Sequence, residues 1–381
     1  MKTNQYLLTA ILMALPLVSC GNSSKTLYEQ NSVVTVAGVD SRAGNKRITK
    51  DLNLKNFHGF NIKGFVDVEY TEGSEYKVTV SGLARWVKNY DIKVSNGLLE
   101  VGHLHGNNGG NDNGGKIYLT VTAPRIDFIE NSGVCTFTAQ SVSIADDMTI
   151  KNSGSLKFER GRLSCNVCHM SNSGIMRFDS DLSVNRVIIS NSGSLNVDSH
   201  SMLSSENVKT DNSGILKLNV GNVECDVLEM SNSGSLNHEG HVAARQKISI
   251  NNDGVYKSKA DCDVSGVMTL LNSGSSNFSG SVKAREYKCK ISGVNKDKLA
   301  VKADNMYLDI NGSGQINMNF IGGNVDMKCN GVCNVNMNLD CRRIKAVNSG
   351  SAKVVLAGTA DEFVLDDTGI SNINTKGLNR L

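Results

Sequence analysis

The stretch Asn152–Gly174, "NSGSLKFERGRLSCNVCHMSNSG", opens and closes on the same tripeptide. Just inside it, Leu156 and Phe158 are apolar while Lys157 and Glu159 are charged. A period of two is that of a strand with one face buried and one solvated. The same stretch contains Cys165-Asn166-Val167-Cys168-His169, which fits the C-x-x-C-H spacing of covalently attached haem. The rest of the chain decides whether this is a cofactor site or one turn of something periodic.

The tripeptide recurs. Asn-Ser-Gly starts at Asn131, Asn152, Asn172, Asn191, Asn212, Asn232, Asn272 and Asn348, and ends at Gly133, Gly154, Gly174, Gly193, Gly214, Gly234, Gly274 and Gly350. Asn252-Asp253-Gly254 and Asp367-Thr368-Gly369 are variants, and Ile291-Ser292-Gly293, Gly312-Ser313-Gly314 and Cys329-Asn330-Gly331 fill the gaps. With the last Gly of each as origin, every spacing is 19 to 21 residues except one of 17, from Gly314 to Gly331. A period near twenty marks either a leucine-rich repeat or a stack of β coils.

The pattern inside the period separates the two. Two residues after the Gly stand Cys135, Leu156, Met176, Leu195, Leu216, Leu236 and Tyr256, with Ile316 and Cys333 later. Four residues after it stand Phe137, Phe158, Phe178, Val197, Leu218 and Phe278, with Met318, Val335 and Val354 later. The residue between them is polar, and the back half of each period alternates again, as in Val223, Cys225 and Val227. Neither helical periodicity nor a leucine-rich consensus appears. The fold expected is all-β: a right-handed parallel β-helix, a solenoid of coils of about 20 residues. Thirteen coils at about 4.8 Å each would extend roughly 60 Å. At the corners, Gly is expected to supply a positive φ and Asn to stack into a ladder.

Outward positions carry a second order. Third positions lean basic (Lys157, Arg177, Lys217, Lys257) and fifth positions lean acidic (Glu159, Asp179, Asp198, Glu239), with Lys259 an exception. Exposed ion pairs between neighbouring coils are expected, each worth about 0 to 1 kcal/mol. A net charge of +3 and 20% charged residues give no field that would gather nucleic acid. Thirty-seven Gly against two Pro fit many tight turns.

The N-terminus reads as a lipoprotein signal peptide over residues 1–19, with Lys2, an apolar run from Tyr6 to Val18, and Leu17-Val18-Ser19-Cys20 before Gly21. Cys20 is then the lipid anchor, and residues 20–44 a polar tether. Residues 45–130 are strand-rich but irregular, and residues 131–381 hold the regular coils. In the irregular part, Phe57-His58-Gly59-Phe60, Val66-Asp67-Val68-Glu69-Tyr70, Tyr76-Lys77-Val78-Thr79-Val80, Asn96-Gly97-Leu98-Leu99 and Leu119-Thr120-Val121-Thr122-Ala123-Pro124 resemble the auto-transporter adhesin family with the head GIN domain. The resemblance implies an exported β-helical protein with an adhesive role, and it supplies no catalytic residues.

The chemistry-bearing residues weigh lightly against this frame. Cys165 falls eleven residues after its Gly, in phase with Ile144 and Cys225, so it is read as a core residue; Cys168, three further on, is expected on the opposite face. Ten cysteines leave nine besides Cys20, read mostly as buried thiols, with Cys329 and Cys333 a candidate bridge. His103 and His105 fall on one strand face beside a Gly/Asn-rich hairpin that offers only Asp112 as a further metal ligand, and His238 falls at an inward phase. Asp146-Asp147 and Asp366-Asp367 are adjacent acids without partners in phase on the next coil. No catalytic residue, metal or cofactor is expected. The reading is a lipid-anchored, non-enzymatic scaffold of the bacterial envelope on the outer membrane, facing either side, with the membrane and a glycan or protein ligand as partners. A polysaccharide lyase or hydrolase is the alternative; an envelope sensor binding a protein partner is the weaker one.

Overall fold

The period of two holds along each straight run of a coil because the stack buries one side chain in every pair. The structure, a computed structural model, describes residues 46–104 and 115–380 together with the strand Val34–Thr35. They belong to one compact unit, residues 32–381. The leader, Cys20, most of the tether and His105 lie outside the described residues.

The coils are near-continuous strands of 17 to 19 residues, among them Ser155–Asn172, Ile175–Asn191 and Ser194–Asn212. Each pairs in parallel with the next, residue for residue: Leu156 with Met176, Phe158 with Phe178, Asn172 with Asn191. About 12 turns stack in this way into a parallel β-solenoid. Like residues therefore meet like. Phe137, Phe158 and Phe178 stack with centroids 5.5 and 5.0 Å apart and ring planes within 7° and 11°. Offset stacking of this kind contributes beyond the area it buries.

The irregular part continues the stack at its N-terminal end. Phe65–Glu72 lies parallel to Val134–Ala139, so that Val66 and Val68 stand over Cys135 and Phe137. Gly59–Ile62 likewise pairs in parallel with Phe128–Asn131. Around these, Arg47–Leu52, Lys77–Leu83 and Ile117–Ala123 pair antiparallel, and Tyr90–Ser95 forms a hairpin with Leu98–His103. That hairpin turns at Asn96 and Gly97, both at positive φ, as a two-residue primed turn requires. The antiparallel strands cover an end that would otherwise present unpaired backbone.

Three expectations change. First, the corner glycines are not among those at positive φ. What Gly provides is room, since a Cβ on Gly154 would overlap the carbonyl oxygen of Gly133, and one on Gly174 that of Gly154. Positive φ is found elsewhere along the coils, at Gly240 and Gly280 in one column and at Gly161, Gly322 and Gly358 in others. Second, the corner of the Gly312-Ser313-Gly314 coil is Gly312, which stacks between Gly293 and Gly331. Gly314 is instead a buried position paired with Cys333. Ile316 accordingly takes the fourth place, opposite Val335. With Gly312 as origin the spacing of 17 disappears and every spacing is 19 to 21. Third, Cys165 and Cys168 both point inward, 8% and 0% exposed, because the coil bends between them; the register shift between Val184 and Arg186 marks the same bend one coil on.

Candidate binding surfaces

The corner asparagines are buried and form a single ladder. Asn131 Nδ2 donates to Asn152 Oδ1 at 2.8 Å, and the pattern repeats through Asn172, Asn191, Asn212, Asn232 and Asn252 to Asn272 at 2.7 to 2.8 Å. From Asn131 to Asn252 each Nδ2 also reaches its own corner Gly carbonyl, as Asn172 does to Gly174 at 3.1 Å, whereas Asn272 Nδ2 donates to Val294 O at 2.8 Å. Ile291, Ile310 and Cys329 then occupy the column, and the Cys329–Cys333 disulfide closes the corner there, with Cα atoms 6.3 Å apart. Asn348 resumes the ladder and donates to Asp367 at 2.8 Å. These residues are structural; what they present to solvent is a trough of about 490 Å³ lined by corner serines such as Ser173, Ser192 and Ser213.

Over the coils, exposed side chains form columns. Lys157 pairs with Glu159, and Arg177 bridges Asp179 at 3.4 Å and Asp198 at 3.2 Å. Asn219 Nδ2 extends the chain to Asp198 Oδ1 at 3.1 Å. The column of acids ends with Glu239, which stands beside Lys259 on the next coil.

A two-coil order escaped the sequence reading. The residue after the corner Gly alternates strictly: Ile175, Ser194, Ile215, Ser235, Val255, Ser275, Val294, Ser313, Val332, Ser351. Ile175, Ile215, Val255, Val294 and Val332 are 42% to 64% exposed. Two residues on, Arg177, Lys217, Lys257 and Lys296 alternate with Asn196, Asn237, Asn277 and Gln315. The signal was legible but required Gly312 as corner.

A groove of about 830 Å³ runs over several coils at another bend, past Asn185, Ser204, Arg245, Asp263 and Lys283. Within it Lys283 Nζ meets Asp263 at 2.7 Å, and Arg245 pairs with Asp226. Grooves of about 440 Å³ follow on later coils, past Arg285 and Asp304 and then past Asn324 and Arg342.

The residues weighed for catalysis are not brought together. Asp146 accepts from Arg125 at 2.8 Å, whereas Asp147 accepts from Asn166 at 2.8 Å. Asp367 accepts from Asn348 and from Ser371. His103 packs on the ring of Tyr90, centroids 4.4 Å apart. One constellation was missed: His58 Nδ1 lies 2.6 Å from Asp127, which also receives Arg125. The far edge of the His58 ring faces Gly97, so the dyad is not set against a nucleophile. Cys165 and Cys168 are within thiol hydrogen-bonding reach, and that hydrogen bond, together with burial, pushes the Cys168 thiol up. Among the described residues no group of three or more His, Cys, Asp or Glu could hold a metal ion.

The large displacements of titration belong to the interior. Burial raises the Asp297 carboxyl to about 7, against hydrogen bonds from Asn295 Nδ2 at 2.6 Å and Phe278 N–H at 3.1 Å that favour the anion. Burial lowers His238 to about 4, and neither ring nitrogen has a partner. Cys225 and Cys262 are pushed up to about 12. Asp297, His238 and Cys262 face the core, while Cys225, though only 2% exposed, borders the 830 Å³ groove.

Residues 56–198 match the family described as "Putative auto-transporter adhesin, head GIN domain". Three solved structures are similar. A "putative adhesin" from Bacteroides fragilis is 13% identical, over 88% of this chain and 99% of its own, at a TM-score of 0.22. A "putative lipid binding protein" from Parabacteroides distasonis is 12% identical, over 87% and 97%, at 0.27. A "putative adhesin" from Parabacteroides merdae is 13% identical, over 86% and 95%, at 0.25. No curated protein matches the chain. Residues 56–198, from the strands that open the stack through its first coils, belong to the adhesin family with the head GIN domain.

Proposed function

We propose that the protein is a non-catalytic binding scaffold of the bacterial envelope, adhesin-like, held to the outer membrane through acylated Cys20 after removal of residues 1–19. The tether over residues 20–44 sets the solenoid off from the bilayer, and the stack presents repeated columns of side chains to a glycan or protein. One observation carries this reading. The groups displaced furthest, the Asp297 carboxyl, the buried thiols and the His238 imidazole, are buried in the stack, whereas the surface is built of ion pairs and amides in register, suited to recognition by repetition. The family description points the same way.

A carbohydrate array run beside an assay for reducing ends and unsaturated sugars tests it. Binding without release is expected, and release of either product contradicts the reading. Palmitate labelling of the wild type but not of Cys20→Ser checks the anchor. Protease treatment of intact cells reports which side the solenoid faces.

A further inference from the structure

Between residues 255 and 298 the exposed sheet face changes character. Lys257 and Lys259 lie on one coil, and Lys296 and Lys298 stand two coils on; Asn277 and Ser279 occupy the coil between. The acidic column that balances Lys157 and Arg177 has ended at Glu239, which borders only Lys259. Asp261, next along the chain, lies beyond the bend at Ala260 and is taken by the backbone and hydroxyl of Ser281. Asp297, between two of the lysines, points into the core and is 2% exposed. The lysine coils are also those on which Val255 and Val294 stand out to solvent, 42% and 56% exposed.

The face is therefore a lattice with a repeat of two coils, about 9.6 Å. Each repeat offers a pair of cations and an apolar side chain, then a coil of amide and hydroxyl. We propose that this face binds a linear acidic polysaccharide with a disaccharide repeat, laid along the stack axis with one acidic sugar at each lysine pair. Two coils advance by the order of one extended disaccharide. The cations meet the acidic sugar, Val255 and Val294 cover the apolar face of its ring, and Asn277 with Ser279 hydrogen-bonds the neutral sugar between. An anionic membrane or an irregular polyanion would gain nothing from a cation-free coil at every second step. The proposal rests on the scaffold reading above and names its ligand class.

The test uses the full chain with hyaluronan oligosaccharides, which carry one carboxylate per disaccharide. Poly-glutamate and phosphatidylglycerol vesicles serve as competitors. One variant, Lys257→Gln, Lys259→Gln, Lys296→Gln and Lys298→Gln, removes the charge. A second, Asn277→Lys, Ser279→Lys, Lys296→Gln and Lys298→Ser, keeps the net charge and breaks the two-coil spacing. The lysines and Asn277 are at the surface, Ser279 is half-buried with its hydroxyl donating to Ser258 O at 3.1 Å and a lone pair left to accept, and circular dichroism checks that both variants fold. Saturable hyaluronan binding by the wild type and a loss of about tenfold or more in both variants are expected. Equal affinity of wild type and spacing variant overturns the proposal, as does better competition by vesicles or poly-glutamate. Failure to bind hyaluronan also overturns it, while binding of another array glycan would leave the scaffold reading standing; hydrolysis would sink that reading instead.

Discussion

The carbonyl oxygen of Gly133 occupies the space a Cβ on Gly154 would need, and the same relation repeats from Gly154 to Gly174 and on to Gly369. The obstacle is backbone, which cannot rotate away as a side chain could. Gly193→Ala is therefore expected to cost about 2 kcal/mol or more, in the range of overpacking. Gly312→Ala should behave likewise. Gly314→Ala, whose Cβ meets only the Ile310 side chain at 3.1 Å, should stay within about 1 kcal/mol. Denaturant midpoints of the three variants decide the register of that coil.

The asparagine ladder needs each member to donate and accept. Asn191→Ala leaves Asn172 Nδ2 without its side-chain acceptor and should cost about 2 kcal/mol. Asn191→Asp keeps the acceptor, loses the donor and buries a charge, so it should be worse at neutral pH than at pH 4. Nature's one acid in the column, Asp367, sits at the end, where only an acceptor is required. Thermal unfolding at the two pH values measures the difference.

Asp297 and His238 predict opposite pH slopes. The Asp297 carboxyl is raised in the folded state, to about 7, so the stability it lends is full at low pH and is lost as pH rises from about 4 to 7. His238 is lowered, to about 4, so the folded state loses stability as pH falls from about 6.5 to 4. Asp297→Asn should stabilise the protein at pH 8 by up to about 4 kcal/mol, and leave a stability that rises with pH between 4 and 6.5. His238→Phe should leave the opposite slope in that window. Denaturant melts across the range read both signs.

The Cys329–Cys333 bridge closes the corner where Ile291, Ile310 and Cys329 replace the ladder. Its loop is short, so reduction should cost about 2 kcal/mol, at the low end for disulfides. The seven other described cysteines are buried and free, so among the described residues a reductant acts on this bridge alone. The double variant Cys329→Ala with Cys333→Ala should melt with or without reductant as the reduced wild type does.

Much of this was legible in the sequence because a stacked coil fixes phase: once Leu156 and Phe158 point inward, so do Met176 and Phe178, and Lys157 and Arg177 point out. What escaped was where the chain bends without announcing it. Gly312-Ser313-Gly314 offers two glycines, and only stacking on Gly293 selects the first. Cys165 and Cys168 share a face because an unmarked bend lies between them. Asp297, flanked by Lys296 and Lys298, reads as solvated, and only its phase after Gly293 puts it inside. The lysine face needed both columns in their true register, and the His58–Asp127 pair joins residues 69 apart in an irregular region where no phase applies.

The central claim is that the ordered surface holds a polymer without altering it. The most direct measurement incubates the folded chain with an array-selected acidic glycan, recovers the complex by size exclusion, and weighs the released glycan by mass spectrometry. The account predicts a glycan retained with the protein and recovered at its original length. A shortened or unsaturated product, or no glycan retained at all, would contradict it.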